Sequence, residues 1–247
     1  MATLLTFLKV PAEFQTQVPS YANPPTLMMA VAAFIERFKT TSASRDPSDQ
    51  DLGLDVGLSQ ASFSAPKIAS VGTKHLDNPD LAFAYLQEIY KPLKRHYDWF
   101  RRTQRGQVKQ YSRKARSKRE AYRWRGRTPT HILTSGMDDY PRGPPHAGEL
   151  HVDLISWVAF FTRTMRDVAA FLGEKDDEAT FVEIEKAIIG NIDGKTILFF
   201  YSPSPRSNLD NSKDLHWDEE QKMYCDLDVN DDGTWPSLFC LLSSDEL

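Results

Sequence analysis

Residues 148–173 read GELHVDLISWVAFFTRTMRDVAAFLG, and this stretch decides the fold class. Leu154, Trp157, Val158, Phe161, Met165, Val168 and Leu172 recur at three- and four-residue intervals, which lines them along one face of an α-helix. Gly148 and Glu149 open the element, and Gly173 supplies the residue that accepts a left-handed stop. The same grammar repeats on both sides. Upstream, Asn23 before Pro24 and Asn78 before Pro79 each place a capping side chain ahead of a proline at the first helical position. Leu27, Val31, Ile35 and Phe38 then predict a helix to about Lys39, and Leu81, Tyr85, Ile89 and Leu93 predict another, kinked or divided at Pro92. Downstream, Phe181, Ile184, Ile188 and Ile192 mark a helix stopped within Gly190 to Gly194. Thr196 to Tyr201 is the one strand-like run, and it leads into a Ser-Pro repeat at Ser202 to Arg206. Residues 40–76 are rich in Ser, Asp, Gly and Ala without periodicity and predict a long surface loop. Without alternation of strands and helices, the chain is all-α.

The chain has 247 residues, 40% hydrophobic and 26% charged, the composition of a soluble chain of one large or two small domains; collagen and wholesale disorder are excluded. Its longest apolar stretches, Leu27 to Ile35 and Leu150 to Phe161, fall short of the roughly 20 residues a membrane span requires. Met1 to Val10 makes a poor signal peptide, because its one lysine follows the apolar residues. Two cysteines, Cys225 and Cys240, are too few for a disulfide framework or a cysteine-rich zinc site and leave the redox compartment open. Charge is unevenly spread: Lys91 to Arg127 carries 15 basic residues against Asp98 and Glu120, while the whole chain is -4. With Tyr97, Trp99, Phe100, Tyr111, Tyr122 and Trp124 interleaved, that segment raises a nucleic-acid reading.

Residues that could carry chemistry concentrate further on. Gly136 and Pro141 fix a loop around the adjacent carboxylates Asp138 and Asp139. Glu149 and Asp153 are four apart, so on a helix both would share a face, with Trp157 one turn beyond. Two acids and an indole in a row suit a sugar, whose hydroxyls donate to carboxylates and whose apolar face an aromatic ring covers. The same spacing also suits a solvated acidic face near a helix N-terminus, a core tryptophan and a turn built on Asp-Asp. Spacing alone leaves both readings open.

Longer runs add a resemblance. Tyr-Arg-Trp-Arg-Gly-Arg at 122–127, Ser-Gly-Met-Asp-Asp-Tyr-Pro-Arg at 135–142 and Glu-Leu-His-Val-Asp-Leu-Ile-Ser-Trp-Val at 149–158 together resemble glycoside hydrolase family 63, the processing α-glucosidases. Further similarity covers Asn23 to Thr26, Tyr90 to Gln104, and Leu215 to Glu220 through Tyr224-Cys225-Asp226. The resemblance implies an (α/α) toroid that removes the terminal α-1,2-linked glucose from the N-linked oligosaccharide precursor in the endoplasmic reticulum, with inversion. It implies that Asp138 is the general acid, with Asp139 as the fallback, and that Arg142, Glu149, Asp153, Trp157, Trp124 and Arg127 bind substrate. A glucosylated N-glycan is then the partner; no metal or cofactor is called for, and nucleic acid is not expected. Inverting hydrolysis needs a second carboxyl about 6.5–9.5 Å from the first. An acid protonated near neutrality must also sit well above the ordinary aspartate value of about 3.9, and Glu149 and Asp153 are expected to push Asp138 upward as like charges.

The chain also departs from the family. The family's general base lies well beyond the Tyr-Cys-Asp run, whereas this chain ends 22 residues after Cys225. The family's membrane anchor and β-sandwich are missing, so about half of a six-hairpin ring is expected, as an incomplete catalytic domain over 1–247 that self-associates through uncovered helix faces. Segments 194–207 and 234–247 do not resemble the family, which points to a truncated or mispredicted product, inactive alone for want of its base. The terminal Ser-Asp-Glu-Leu is a coincidental likeness to a retention signal. A glycan-binding remnant that does not cut is the alternative, ahead of nucleic-acid binding through 91–127.

Overall fold

The fold is taken from a computed structural model of the chain that describes residues 18–43, 75, 78–111, 113, 115–129, 133–137, 142–192, 215–218, 222–229 and 238–239. These build four α-helices: α1 (Leu27–Ala43), α2 (Pro79–Thr103), α3 (Val152–Leu172) and α4 (Lys175–Ile192). Two short antiparallel ladders follow, β1 (Trp217–Asp218) with β2 (Met223–Tyr224) and β3 (Asp226–Leu227) with β4 (Leu238–Phe239). The described chain is predominantly helical. The strand-like run Thr196 to Tyr201 and most of segment 40–76 lie outside the described residues, although α1 runs on to Ala43.

Helix α3 organises the rest. Leu154, Ile155, Val158, Phe161, Met165 and Val168 are buried along it, and α1, α2 and α4 all pack against it. Gly173 closes α3 at φ 77°, a left-handed backbone that an L side chain resists, and its N–H and that of Glu174 return to the carbonyls of Ala170 and Ala169. Helix α4 starts two residues later, so α3 and α4 form an αα-hairpin. Where they face each other, Glu185 is wholly buried yet held by Arg163 at 2.9 Å and Arg166 at 2.5 Å. A buried carboxylate without such partners would be strongly destabilising. Helix α2 joins the pair through Tyr90 and Lys94, which both bind Asp177 on α4.

Four expectations change. Helix α1 starts at Leu27 and not at Pro24, because Pro25 disfavours helical backbone in the residue before it. Asn78 does cap α2, its side chain accepting from the N–H groups of Asp80 and Leu81. That helix continues unbroken through Pro92, held on either side by buried Leu86, Tyr90, Leu93, Tyr97 and Phe100. Its buried face is also rotated: Leu81 and Tyr85 are exposed, and the longer row from Ala82 to Phe100 turns inward. Last, α3 starts at Val152, so Glu149 precedes the helix and does not share its face with Asp153. In the basic segment, Tyr97, Phe100, Tyr122 and Trp124 are buried, which removes them as stacking platforms for bases.

Candidate active site

Segments from distant parts of the chain converge on the N-terminal end of α3. Residues 122–127 are threaded between the end of α2 and the start of α3 by Arg123 N–H to Gln104 O and His151 N–H to Tyr122 O. On the other side, Leu150 and Leu227 exchange both backbone hydrogen bonds, at 2.9 and 2.8 Å, which sets Asp226 beside the first turn of α3. A small apolar cluster of Val108, Ala121, Leu150, Leu215 and Leu227 lies beneath.

Two charge networks fill this junction. In the first, Glu149 is 3% exposed and receives Arg127 through Nη2 at 3.0 Å and Nε at 3.3 Å. Arg123 Nε stands 3.8 Å from the same carboxylate, and His151 Nε2 stands 3.4 Å from it. Burial would raise the Glu149 pKa, but the hydrogen bonds from His151 and Arg127 outweigh it and hold the group below the usual glutamate value. His151 is itself oriented, because its Nδ1 accepts the Trp124 backbone N–H at 3.0 Å. That donation leaves the ring proton on Nε2, facing Glu149.

Arg142 is the hub of the second network. Its Nη2 donates to Asp153 Oδ1 at 2.8 Å, its Nε to Asp226 Oδ2 at 2.7 Å and its Nη1 to Ser135 Oγ at 3.0 Å. Trp124 completes the arrangement by donating its indole N–H to Asp153 Oδ2 at 3.0 Å. Asp226 Oδ1 accepts the Val152 N–H at 2.7 Å, supplying the cap that His151, at the N-cap position, does not provide. A polar cavity of about 10 Å³, room for one water, lies among Arg142, Glu149, His151 and Asp226. Larger, more open depressions of about 520 and 490 Å³ lie along α4 and between α3 and α4, the second reaching Val152 at the edge of this cluster.

The expected site residues therefore fall into three groups. Glu149, Arg127 and Trp124 are internal, the first two paired with each other and the third packed against Phe100. Arg142 is almost as enclosed, its side chain 6% exposed, whereas Asp153 and Trp157 stay partly exposed one turn apart on α3 and keep the acid-and-indole row. Asp138 and Asp139 lie outside the described residues. The chain next to them is informative: Ser135 is buried, Gly136 takes φ 71°, and Met137 emerges into solvent. Glu149 and Asp153, expected to act on Asp138 as like charges, are themselves paired with Arg127 and Arg142. Sequence reasoning missed Asp226, His151 and Ser135 as site residues, although Asp226 stood in the Tyr-Cys-Asp run and Ser135 at the head of the Asp-Asp loop. Among the described residues no group of three or more His, Cys, Asp or Glu side chains is arranged to hold a metal ion.

Beside the site, His216 is fully buried, with Nδ1 2.9 Å from Cys225 O and its backbone carbonyl accepting from Cys225 N at 2.8 Å. Burial pushes its imidazole down to about 4, against the smaller raising effect of that hydrogen bond, and Nε2 has no partner among the described residues. Cys225 is disulfide-bonded. The chain's other cysteine is Cys240, outside the described residues.

Carboxylates, guanidinium groups and the Trp124 indole are thus interleaved at one helical junction. Residues 6–235 match the glycosyl hydrolase family 63 C-terminal domain, and the chain belongs to that family. It is similar to a probable mannosyl-oligosaccharide glucosidase of Schizosaccharomyces pombe, 39% identical over 224 residues, which are 90% of this chain and 24% of that protein. To the mannosyl-oligosaccharide glucosidase of Saccharomyces cerevisiae it is 36% identical over 232 residues, again 90% and 24% of the two chains. Alpha-glucosidase 2 of Arabidopsis thaliana is 28% identical over 176 residues, 68% of this chain and 17% of that one. The chain thus spans about a quarter of the length of the two fungal relatives. No described helix is long and apolar enough to cross a membrane.

Proposed function

We propose that this chain is the acid-bearing part of an inverting mannosyl-oligosaccharide glucosidase that removes the terminal α-1,2-linked glucose of an N-linked oligosaccharide. Asp138 protonates the leaving glycosidic oxygen, and Asp153 and Trp157 hold the sugar. One observation supports this most directly: Arg142 ties Ser135, on the near side of the Asp138-Asp139 loop, to Asp153 on α3. The loop is thereby anchored at both ends to the carboxylate that would meet the substrate, a fixed geometry that saves orientation at the moment of reaction. The general base, which activates water from the opposite face of the sugar, lies on this reading outside the chain. The αα-hairpin of α3 and α4 is the unit from which an (α/α) toroid is built and supports that architecture. Disulfides persist in oxidising compartments, so the one at Cys225 supports the lumen of the endoplasmic reticulum as its place of action.

Release of glucose from a triglucosylated glycan tests the proposal. The expected rate from this chain is about 10²- to 10⁴-fold below that of a complete acid and base pair, and lower again in Asp138→Asn. Equal rates in the two proteins would remove Asp138 from its role; full turnover by the chain would place the base within it. A second reading, glycan binding without cleavage, is favoured by the pairing of the partly exposed Asp153 with Arg142, which suits recognition of hydroxyls without proton transfer.

A further inference from the structure

We propose that Asp226 is a positioning residue of this site: through Arg142 it sets the orientation of Asp153 and of Ser135. The inference rests on the glycosidase reading for its functional meaning and on the hydrogen bonds alone for its physical content. Asp226 is 4% exposed and reaches no surface where a sugar could meet it, so it acts through another group. Its two oxygens have separate partners, Oδ1 the Val152 N–H and Oδ2 the Arg142 Nε, both at 2.7 Å. The first bond fixes the start of α3, one residue before Asp153. The second fixes the plane of the guanidinium, which presents its other two edges to Asp153 and Ser135. A planar, rigid fork has little freedom once one edge is held, so the direction of all three bonds follows from that carboxylate.

Asp226 is itself held from several sides. Its neighbour Leu227 is paired with Leu150 on one side and with Leu238 on the other. Cys225, the residue before it, is disulfide-bonded and hydrogen-bonded to His216 through its own N–H and carbonyl. A carboxylate flanked by a disulfide-bonded residue and by paired backbone is suited to act as the reference point for the Arg142 guanidinium. Without it, Arg142 would lose the bond that fixes the plane of its guanidinium, and its bonds to both Asp153 and Ser135 would lose their direction.

The test uses the 247-residue chain. In Asp226→Asn the buried side chain keeps its shape but loses its charge. The expected results are a cooperative melt, faster hydrogen exchange at Arg142 Nε, a displaced Trp124 indole N–H resonance, and at least tenfold weaker binding of a glucose-α-1,2-glucose disaccharide. The indole is the discriminating probe, because Trp124 has its bond to Asp153 and none to Asp226. An unmoved Trp124 resonance, or unchanged disaccharide affinity with Arg142 released, would overturn the proposal. Arg142→Lys covers the case in which Asp226→Asn does not fold: it leaves the Asp226 bond to Val152 in place, cannot serve three separated acceptors, and should displace the same indole signal. If the unsubstituted chain fails to bind the disaccharide, the glycosidase reading falls, while the two spectroscopic signals still decide whether Asp226 orients Arg142 and Asp153.

Discussion

Helix α3 serves two regions built on different principles. From Leu154 to Ala169 it lies in an apolar core where Phe161 meets Tyr97, Phe100 and His96 edge to face at 5.2 to 6.0 Å. At its first turn, it enters a network in which each carboxylate has named donors at fixed distances. The apolar region is held by many weak, non-directional contacts, so stability there follows volume. The polar region is held by few directional ones, so it follows pairing: a single removed partner leaves a buried charge exposed to a low dielectric.

Truncation should strike both regions hard, by about 3–5 kcal/mol in urea unfolding: Phe161→Ala through the cavity it leaves, Arg127→Ala through the uncompensated Glu149. Gentle replacement separates them. Met165→Leu, conserving volume, should cost less than about 1.5 kcal/mol. Arg127→Lys conserves charge but not the two-pronged grip on Glu149, and should cost more than Met165→Leu; equal costs would erase the distinction. Acid sharpens it from another side. The folded pKa of His216, about 4, lies below its ordinary 6.5, so across this window the unfolded chain binds the extra proton. The stability contributed by the neutral ring is complete above about pH 6.5 and falls by up to about 3 kcal/mol as the pH drops towards 4. Thermal melts over that range should fall less steeply in His216→Gln. The smallest effect belongs far from both regions: Asn78→Ala at the exposed start of α2 should lower stability by about 1 kcal/mol, read from the melting temperature.

The same division explains what could be read in advance. The buried faces of α3 and α4 follow a 3.6-residue period, a local property, and Asn78 and Gly173 act within a few residues of where they stand. Helix α2 misled because two apolar rows lie side by side on it, and only packing against α3 selects the longer. Glu149 misled because helical spacing was extended back across Leu150 and His151, whose backbones pair instead with Leu227 and Tyr122. The run of motifs pointed to the right neighbourhood, naming Trp124, Arg127, Arg142, Glu149 and Asp153 together, but not to their pairings. Those pairings join residues 11 to 29 positions apart, and a one-dimensional pattern carries no record of them. Asp226 was the costliest omission, since an aspartate after a cysteine has no periodicity to betray it.

The two-residue connection between α3 and α4 bears on the order in which the molecule is made. Contacts between neighbours in sequence close quickly, and those across long separations wait. The hairpin can form as soon as Ile192 has left the ribosome, whereas the first turn of α3 receives its acceptor 74 residues after Val152. During synthesis the contacts of the hairpin are therefore available first, and the cluster at the tip of α3 can be completed only when the Cys225-Asp226-Leu227 segment arrives.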